Sequence, residues 1–578
     1  MSTAIHQNIP DSRGLSLFEA DPDLWRLMQV YLDPQLCDLV RPELERMGAL
    51  AGGRLEELAL AADKNPPELR IRARNGADEE RIVKHPAYEE LERYAFGTFG
   101  LAAMSHRGGV FGAADKLPPI VKYALVYLFV QAEFGLCCPL SMTDSLTRTL
   151  VKFGDPELVA RYFDQLTSQD METLFQGSMF MTEQAAGSDV GAIDTTARFE
   201  DGAWRLYGDK WFCSNPDAAL GMVLARPEDG GAGTKGLSLF LLPRHRPDGS
   251  RNAYRILRLK DKMGTRSMAS GEITLEGATA YLVGEPGQGF KQMTDMINMS
   301  RLANGVRSAG LMRRSVTEAL FISRNRMAFG KRLIDLPVMR RQLLKMITTA
   351  EQGRSMVFHT ADVLRRADAG EAAKAKVLRI LTPLVKFRTC RDARKVAGDA
   401  MEVRGGCGYI EEWSDARVLR DAHLGSIWEG TSNIVALDVA RAVRREDALS
   451  ALETHVQGLL AETRETLGAP QAAIADHFAR AAEMLDAVAH DRDREIETRA
   501  AASAVYNATS AVFLAWEDAR LRQVDNAAPG GRLAIAQSVL RHKLSSREPF
   551  ARDPDEADLA ARLLDETPDA ADARNAAG

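Results

Sequence analysis

The chain of 578 residues contains only six cysteines, Cys37, Cys137, Cys138, Cys213, Cys390 and Cys407, and no C-x-x-C pair. That excludes a disulfide framework, argues against structural zinc and favours a reducing compartment. The ten histidines are scattered and no H-E-x-x-H occurs. No stretch approaches about 18 uninterrupted apolar residues, so no spanning helix is expected. The opening Met1-Ser-Thr-Ala-Ile-His-Gln lacks a basic segment followed by an apolar one. A strong charge of either sign is missing too: the net charge of -6 gives no global attraction to nucleic acid or anionic lipid. A cytoplasmic protein is expected.

What is present is ordinary globular material, 45% hydrophobic and 27% charged, long enough for three or four domains of about 100–200 residues each. Residues 1–175 read as a helical domain, as in Pro42-Glu-Leu-Glu-Arg-Met and Lys122-Tyr-Ala-Leu-Val-Tyr-Leu-Phe, with breaks at Pro66, Pro67 and Pro118. Residues 176–285 change to short β-rich runs separated by glycine, among them Leu237-Ser-Leu-Phe-Leu-Leu, which suggests a small antiparallel barrel or sandwich. Helical periodicity resumes over 286–445, with Met293 and Ile297, then Val316 and Leu320, on common faces. Residues 446–550 form an Ala/Leu-rich helical extension, and 551–578 an acidic tail expected to be loosely ordered. The fold class is α+β and multidomain, and its interdomain clefts suit extended ligands.

Gly231-Ala-Gly-Thr-Lys-Gly236 fits G-x-G-x-x-G, yet the following Leu237–Pro243 run reads as a strand where a dinucleotide turn needs a helix, so it is read as a hairpin loop. Three other stretches carry more. In Gly425-Ser-Ile-Trp-Glu-Gly-Thr-Ser-Asn433, the lone carboxylate of Glu429 lies beside Ile427 and Trp428, neighbours that make it a usable base near neutrality. Trp428 either narrows a pocket or packs outside it. Upstream stand Met181-Thr-Glu-Gln-Ala-Ala-Gly-Ser-Asp189 and Arg404-Gly-Gly-Cys-Gly-Tyr409, each of which taken alone is no more than a turn.

In this order and at these separations the three stretches resemble the acyl-CoA dehydrogenase family of flavoproteins, well over about residues 176–445 and more loosely before that. The resemblance implies FAD. It places Met181, Thr182, Gly187 and Ser188 in a loop on the flavin, Phe212 against the isoalloxazine and Ser214 near its N5 edge. Arg326 and Phe329, in Arg326-Met-Ala-Phe-Gly-Lys331, resemble a segment reaching a neighbouring subunit's FAD, Arg326 lying on the pyrophosphate, which a guanidinium fork suits. Glu402, Gly405, Gly406, Thr431 and Asn433 fall at further FAD contacts. Pro337 and Glu402 stand where many members carry glutamine.

Glu429 matches the family's catalytic base, which takes the α proton of an acyl-CoA while the β hydrogen leaves as hydride, giving a 2-enoyl-CoA. The Glu429 backbone N–H and a ribityl hydroxyl would steady the enolate oxygen. Some branches place the base on an earlier helix, where this chain has Ser300. The adjacent Arg301 either orders the Glu429 loop or is an exposed helical arginine. Cys213 and Cys407, near the flavin, read as packing residues.

Asn65-Pro-Pro-Glu-Leu69, Trp211-Phe212, Pro243-Arg-His-Arg-Pro-Asp-Gly249, Leu257-Arg-Leu-Lys-Asp-Lys262 and Met401-Glu-Val-Arg-Gly-Gly406 look like the AidB-type branch. That branch implies a homotetramer, an acyl-CoA substrate, weak dehydrogenase activity and a role in DNA binding and protection. Electrons would leave through a partner such as electron-transferring flavoprotein. Residues 447–578 carry a net charge of about -9, and about -4 without the tail, which disfavours DNA. The alternatives are a DNA-protecting flavoprotein with residual dehydrogenase activity and a flavin oxidase or monooxygenase. Acyl-chain preference, electron acceptor and the purpose of the extension are not legible in the sequence.

Overall fold

The computed structural model describes residues 9–524, 531–546, 548, 550 and 555–565. Seven helices open the chain: α1 (Pro22–Tyr31), α2 (Pro34–Gly52), α3 (Arg54–Lys64), α4 (Pro86–Glu92), α5 (Pro119–Phe129), α6 (Cys137–Phe153) and α7 (Pro156–Leu166). Proline begins five of them, where its missing N–H costs nothing. Asp33 and Asp155 cap two by accepting from the N–H of Leu36 and Glu157.

This region is not purely helical. Strands β1 (Glu68–Arg72) and β2 (Asp78–Val83) form an antiparallel hairpin around Asn75-Gly76. Asn-Gly is a strong hairpin signal that the helical reading passed over. Glu80 of β2 is buried, accepts from the Ile256 N–H at 3.3 Å and lies 3.5 Å from Arg244, tying the hairpin to the next domain.

That domain contains β3 (Gly177–Phe180), β4 (Thr196–Glu200), β5 (Ala203–Ser214), β6 (Leu220–Pro227), β7 (Ser238–Pro243), β8 (Tyr254–Leu259) and β9 (Ser270–Val283). Strand β6 pairs with β4, β4 with β5, β5 with β9, β9 with β7 and β7 with β6, so five strands close into a barrel. Strand β3 adds to β6 and β8 to β9. The barrel is mixed rather than antiparallel throughout, because β3 and β4 run parallel to β6. Phe180, Leu206, Val223, Phe240 and Ile273 fill it. Residues 231–236 join the antiparallel β6 and β7.

Next come α8 (Gly289–Asn325), a hairpin of β10 (Met327–Ala328) and β11 (Lys331–Arg332), α9 (Pro337–Asp368), α10 (Ala372–Arg404), α11 (Gly406–Tyr409), α12 (Ser414–Gly425) and α13 (Ser432–Glu446). Helix α8 is 37 residues long and buried along most of its length. Gly305 and Gly310 let it lie against α10 and α5, since a Cβ at those positions would overlap Val385 and the Tyr127 carbonyl. No helix among the described residues is long and apolar enough to cross a membrane.

The extension consists of α14 (Ala448–Leu467), α15 (Ala469–His490), α16 (Thr498–Val524), α17 (Gly531–Val539) and α18 (Glu556–Asp565). Helix α18 corrects the expectation of a loose tail: its Ala560 and Leu564 are buried, and Arg340 and Arg341 pair with Asp565 and Glu556 at 2.8 and 2.7 Å. Residues 551–554 and 566–578 of that tail lie outside the described residues.

A buried chain of hydrogen bonds joins extension to core. Lys374 Nζ meets His455 Nδ1 at 2.8 Å, His455 Nε2 meets His359 Nε2 at 2.8 Å, His359 Nδ1 meets the Tyr31 hydroxyl at 3.3 Å, and Tyr31 donates to Glu517 at 2.8 Å. A charged lysine only donates, which makes both imidazoles neutral and orients every link toward Glu517. Burial pushes His455 down to about 3 and His359 well below its ordinary value. The unfolded chain therefore binds extra protons between about pH 6.5 and pH 3, and the contribution of this pair, full above 6.5, is lost as pH falls through that window. His455→Gln should shrink the fall in urea midpoint between pH 6.5 and 5 relative to wild type.

Candidate active site

The turn Ser426–Gly430 follows α12 and leads into α13. Its backbone passes through two left-handed residues, Glu429 at φ 58° and Gly430 at φ 102°, of which only the second is a glycine. A side chain in that region persists where neighbours hold it. Arg301 Nε donates to the Glu429 carbonyl at 3.3 Å, Lys386 Nζ to the Gly430 carbonyl, and Asn304 Nδ2 to the Gly425 carbonyl at 3.0 Å. Arg301 is buried. Asp438 of α13 holds it at 2.7 Å and Arg379 at 2.8 Å. Burial opposes the Asp438 charge, but the two arginines outweigh it and keep the carboxyl below its usual range. Burial pushes Lys386 down to about 8, against the pull of Cys390 and Glu429.

Ser300 Oγ donates to Glu429 Oε1. The other oxygen, Oε2, is buried without a partner, and the Glu429 N–H likewise has no acceptor among the described residues. One residue thus presents a free carboxylate oxygen and a free N–H donor together. Trp428 packs: its ring stacks on Phe134 with centroids 5.8 Å apart, and the Arg307 guanidinium lies 4.9 Å from its centroid.

The end of β5 comes up beside this turn. Burial raises the Cys138 thiol against the pull of Arg307, with the Glu429 charge adding to the rise and Ser214, at the end of β5, opposing it. Just before Ser214 the β5–β9 register slips, so Trp211 and Phe212 together oppose Glu272. Such a bulge turns side chains out of strict alternation. Phe212 is 58% exposed, and the Lys260 ammonium sits 4.8 Å from its ring and 3.4 Å from that of Trp211.

The Met181–Asp189 loop is pinned to the same strand. The Thr182 carbonyl accepts from the Trp211 N–H at 2.8 Å, and the Met181 carbonyl lies 3.4 Å from Lys210 Nζ. Between them Glu183 turns inward to the fully buried Lys210 at 2.7 Å and accepts from the Asp194 N–H at 2.7 Å. The hydroxyls of Thr182 and Ser188 then carry no protein hydrogen bond among the described residues, and nothing stands within 4 Å of where a Gly187 Cβ would be. An uncovered aromatic face, free hydroxyls and open space at a glycine fit a planar heteroaromatic ring such as a flavin. Thr431 and Asn433 lie exposed at the start of α13, and Asn433 accepts from Arg499 of the extension at 3.2 Å.

The remaining residues form a second cluster. Arg326 ends α8 and donates to the Arg404 carbonyl at 3.3 Å, beside Glu402, Gly405 and Gly406, all three exposed. Phe329, 92% exposed and at φ 53°, tips the β10–β11 hairpin. Ser300 and Arg326 are 26 positions apart on one helix, about 39 Å at 1.5 Å per residue, so the two clusters do not meet within one chain. Cys213 is fully buried, with its thiol pushed up by burial, and Cys407 is half-buried.

Sequence reasoning missed Glu183, Lys386 and Asp438, which position the site without belonging to a motif. Glu183 lay inside a quoted stretch, and the only available hint was a carboxylate within the β-rich region, three residues past β3. Nothing local marks Lys386 or Asp438.

Residues 8–173 match the adaptive response protein AidB N-terminal domain, 178–278 the acyl-CoA dehydrogenase middle domain and 287–444 the acyl-CoA dehydrogenase C-terminal domain. The putative acyl-CoA dehydrogenase AidB of Escherichia coli is 37% identical over 420 residues, 70% of this chain and 74% of that one. Acyl-CoA dehydrogenase family member 11 of Caenorhabditis elegans is 31% identical over 459 residues, 77% and 74% respectively. The crystal structure of Caenorhabditis elegans ACDH-11 in complex with C11-CoA superposes with a TM-score of 0.86 at 26% identity, covering 98% of both chains.

Asp438 neutralises the buried Arg301 and the half-buried Arg379, so Asp438→Ala should lower stability by about 3–5 kcal/mol, the usual cost of breaking a buried pair. Glu276→Ala, which breaks the exposed pair with Arg255, should leave the urea midpoint where it is.

Proposed function

Because the chain belongs to the acyl-CoA dehydrogenase family, in its AidB-type branch, we propose that it is an FAD-dependent oxidoreductase that converts an acyl-CoA to the 2-enoyl-CoA with Glu429 as base. The observation that carries this reading is the pairing, on one residue, of an unpartnered buried carboxylate oxygen with an unpartnered N–H. FAD, when bound, supplies the acceptor for the β hydride.

The protein's own part is acid–base and positional. Glu429 Oε2 takes the α proton, while Ser300, donating to Oε1, fixes the plane of the carboxylate. The Glu429 N–H donates to the thioester oxygen as negative charge grows on it. Arg301 and Lys386, by holding the carbonyls of Glu429 and Gly430, keep base and N–H donor in register. Thr182, Gly187, Ser188, Phe212 and Ser214 would seat the ring, and Thr431 and Asn433 the rest of the cofactor. The separation of the second cluster supports a homo-oligomer, a tetramer by resemblance, in which Arg326, Phe329, Glu402, Gly405 and Gly406 serve a neighbour's FAD. Electron-transferring flavoprotein or a similar partner would reoxidise the enzyme, in the cytoplasm.

Anaerobic mixing with a panel of acyl-CoAs should bleach the bound flavin, and Glu429→Gln should slow that by about 10²–10⁴-fold, the usual contribution of a general base. Normal bleaching by Glu429→Gln would reassign the base. Failure of every thioester to bleach wild type would overturn the dehydrogenase reading.

A further inference from the structure

Two stretches that contribute nothing to the Glu429 turn meet in space. Asn65-Pro-Pro-Glu-Leu69 leads from α3 into β1, and Leu257-Arg-Leu-Lys-Asp-Lys262 runs from β8 into the loop before β9. Between them lies a cavity of about 280 Å³, lined by Pro66, Pro67, Lys260, Asp261, Lys262 and Arg266 among others. One water needs about 10–15 Å³, so the space takes a small molecule. Its walls are set in advance. The proline rings fix their own φ angles, and the β8–β9 loop is clamped to α12 and to the turn before α6. Arg420 donates to the Met263 carbonyl at 3.0 Å, the Thr265 N–H to Asp421 at 2.6 Å and Ser267 to Glu133 at 2.6 Å. A Cβ at Gly264 would overlap the Arg420 carbonyl.

The lining is cationic. Arg266 makes no hydrogen bond or ion pair among the described residues. Lys262 donates to the Met268 carbonyl at 2.6 Å and to Ser270 Oγ at 3.0 Å, both neutral, which leaves one of its three N–H groups unused. Burial pushes its ammonium down to about 8, against the pull of Cys138, Asp421 and Glu133. Lys260 is answered by Glu272 and lies 3.4 Å from the Trp211 ring centroid. The carboxylate of the lining, Asp261, is exposed and pairs with none of the three. Two cations therefore face the cavity without a bonded counter-charge. A phosphate monoester carries up to two negative charges on three oxygens, and a guanidinium fork meets two of those oxygens at once.

We propose that this cavity is a phosphate-binding site, taking a phosphate monoester with its oxygens on Lys262 and Arg266 and its organic body against Pro66 and Pro67. No lining residue belongs to the Glu429 turn, so the proposal stands apart from the role of Glu429. The same chemistry is carried by the 3′-phosphate of CoA and by free phosphate esters, and the test separates the two.

Calorimetry on the FAD-loaded protein at constant ionic strength compares ribose 5-phosphate, CoA and 3′-dephospho-CoA. Ribose 5-phosphate should saturate one site in wild type. Arg266→Gln should weaken it about 10–100-fold, the range of a hydrogen bond to a charged group. Because Arg266 bonds nothing in the protein, that variant should fold. Asp261→Asn, which removes the opposing charge, should tighten binding, and Arg255→Gln, which removes an equal charge from β8 outside the cavity, should leave it unchanged. If CoA supplies the phosphate, CoA outbinds its dephospho form and the gap closes in Arg266→Gln. If a free ester supplies it, the two CoA forms bind alike and ribose 5-phosphate binds undiminished with CoA present. An affinity unchanged in Arg266→Gln, an equal loss in Arg255→Gln, or no saturation by about 10 mM ribose 5-phosphate together with equal binding of the two CoA forms, would overturn the proposal.

Discussion

The site depends on a backbone that is unfavourable by itself. Glu429 occupies a left-handed conformation that an L-residue with a bulky side chain adopts at some cost, and the turn is kept there by cationic donors on its carbonyls. Of these cations Arg301 comes from α8 and Lys386 from α10, while the neutral amide of Asn304, also on α8, holds the Gly425 carbonyl at the end of α12. Arg301 is itself held by Asp438, one helix after the turn. The Glu429 turn is thus set by a closed circuit in which turn, long helix and following helix each constrain the others.

Helix α8 extends that logic along its length. Near its start it supports the proposed base, in the middle it sets Arg307 against the Trp428 ring, and at its end it delivers Arg326 to a different surface. A rigid rod of 37 residues fixes these spacings more reliably than loops could. The β barrel contributes in a complementary way. A local slip in strand register exposes Phe212, while a buried Glu183–Lys210 pair keeps the adjacent loop from collapsing onto it.

Much of this was legible in the sequence because motifs carry their own geometry. The Met181–Asp189 and Gly425–Asn433 stretches place Thr182 and Glu429, and the change from helical to β texture marks the barrel. What was not legible depended on tertiary partners. Alternation along β5 gives no sign that Trp211 and Phe212 share a bulge. An arginine at 307 reads as a solvated helical residue, since burial is decided by what packs around it. The hairpin at Asn75-Gly76 was legible but was outweighed by its helical surroundings. In α18, acidic alanine-rich composition hid the i, i+4 spacing of Ala560 and Leu564, on the face that packs inward.

The extension looks in sequence like an appendage, acidic and placed after the matched domains, but its bonds are internal. Arg532, the first residue of its one positive stretch, is buried against Glu517 and Glu351 and is not offered to an outside polyanion. The relay from Lys374 to Glu517 crosses between core and extension three times and runs one way only, because an ionised lysine cannot accept at its head. Severing the chain after Asp447 would strand the Tyr31 hydroxyl and His359 of the core, with the carboxylate of Glu351 bared to water. The final quarter of the polypeptide is better regarded as the outer wall of the catalytic body than as a module that evolution, or an experimenter, could lift away.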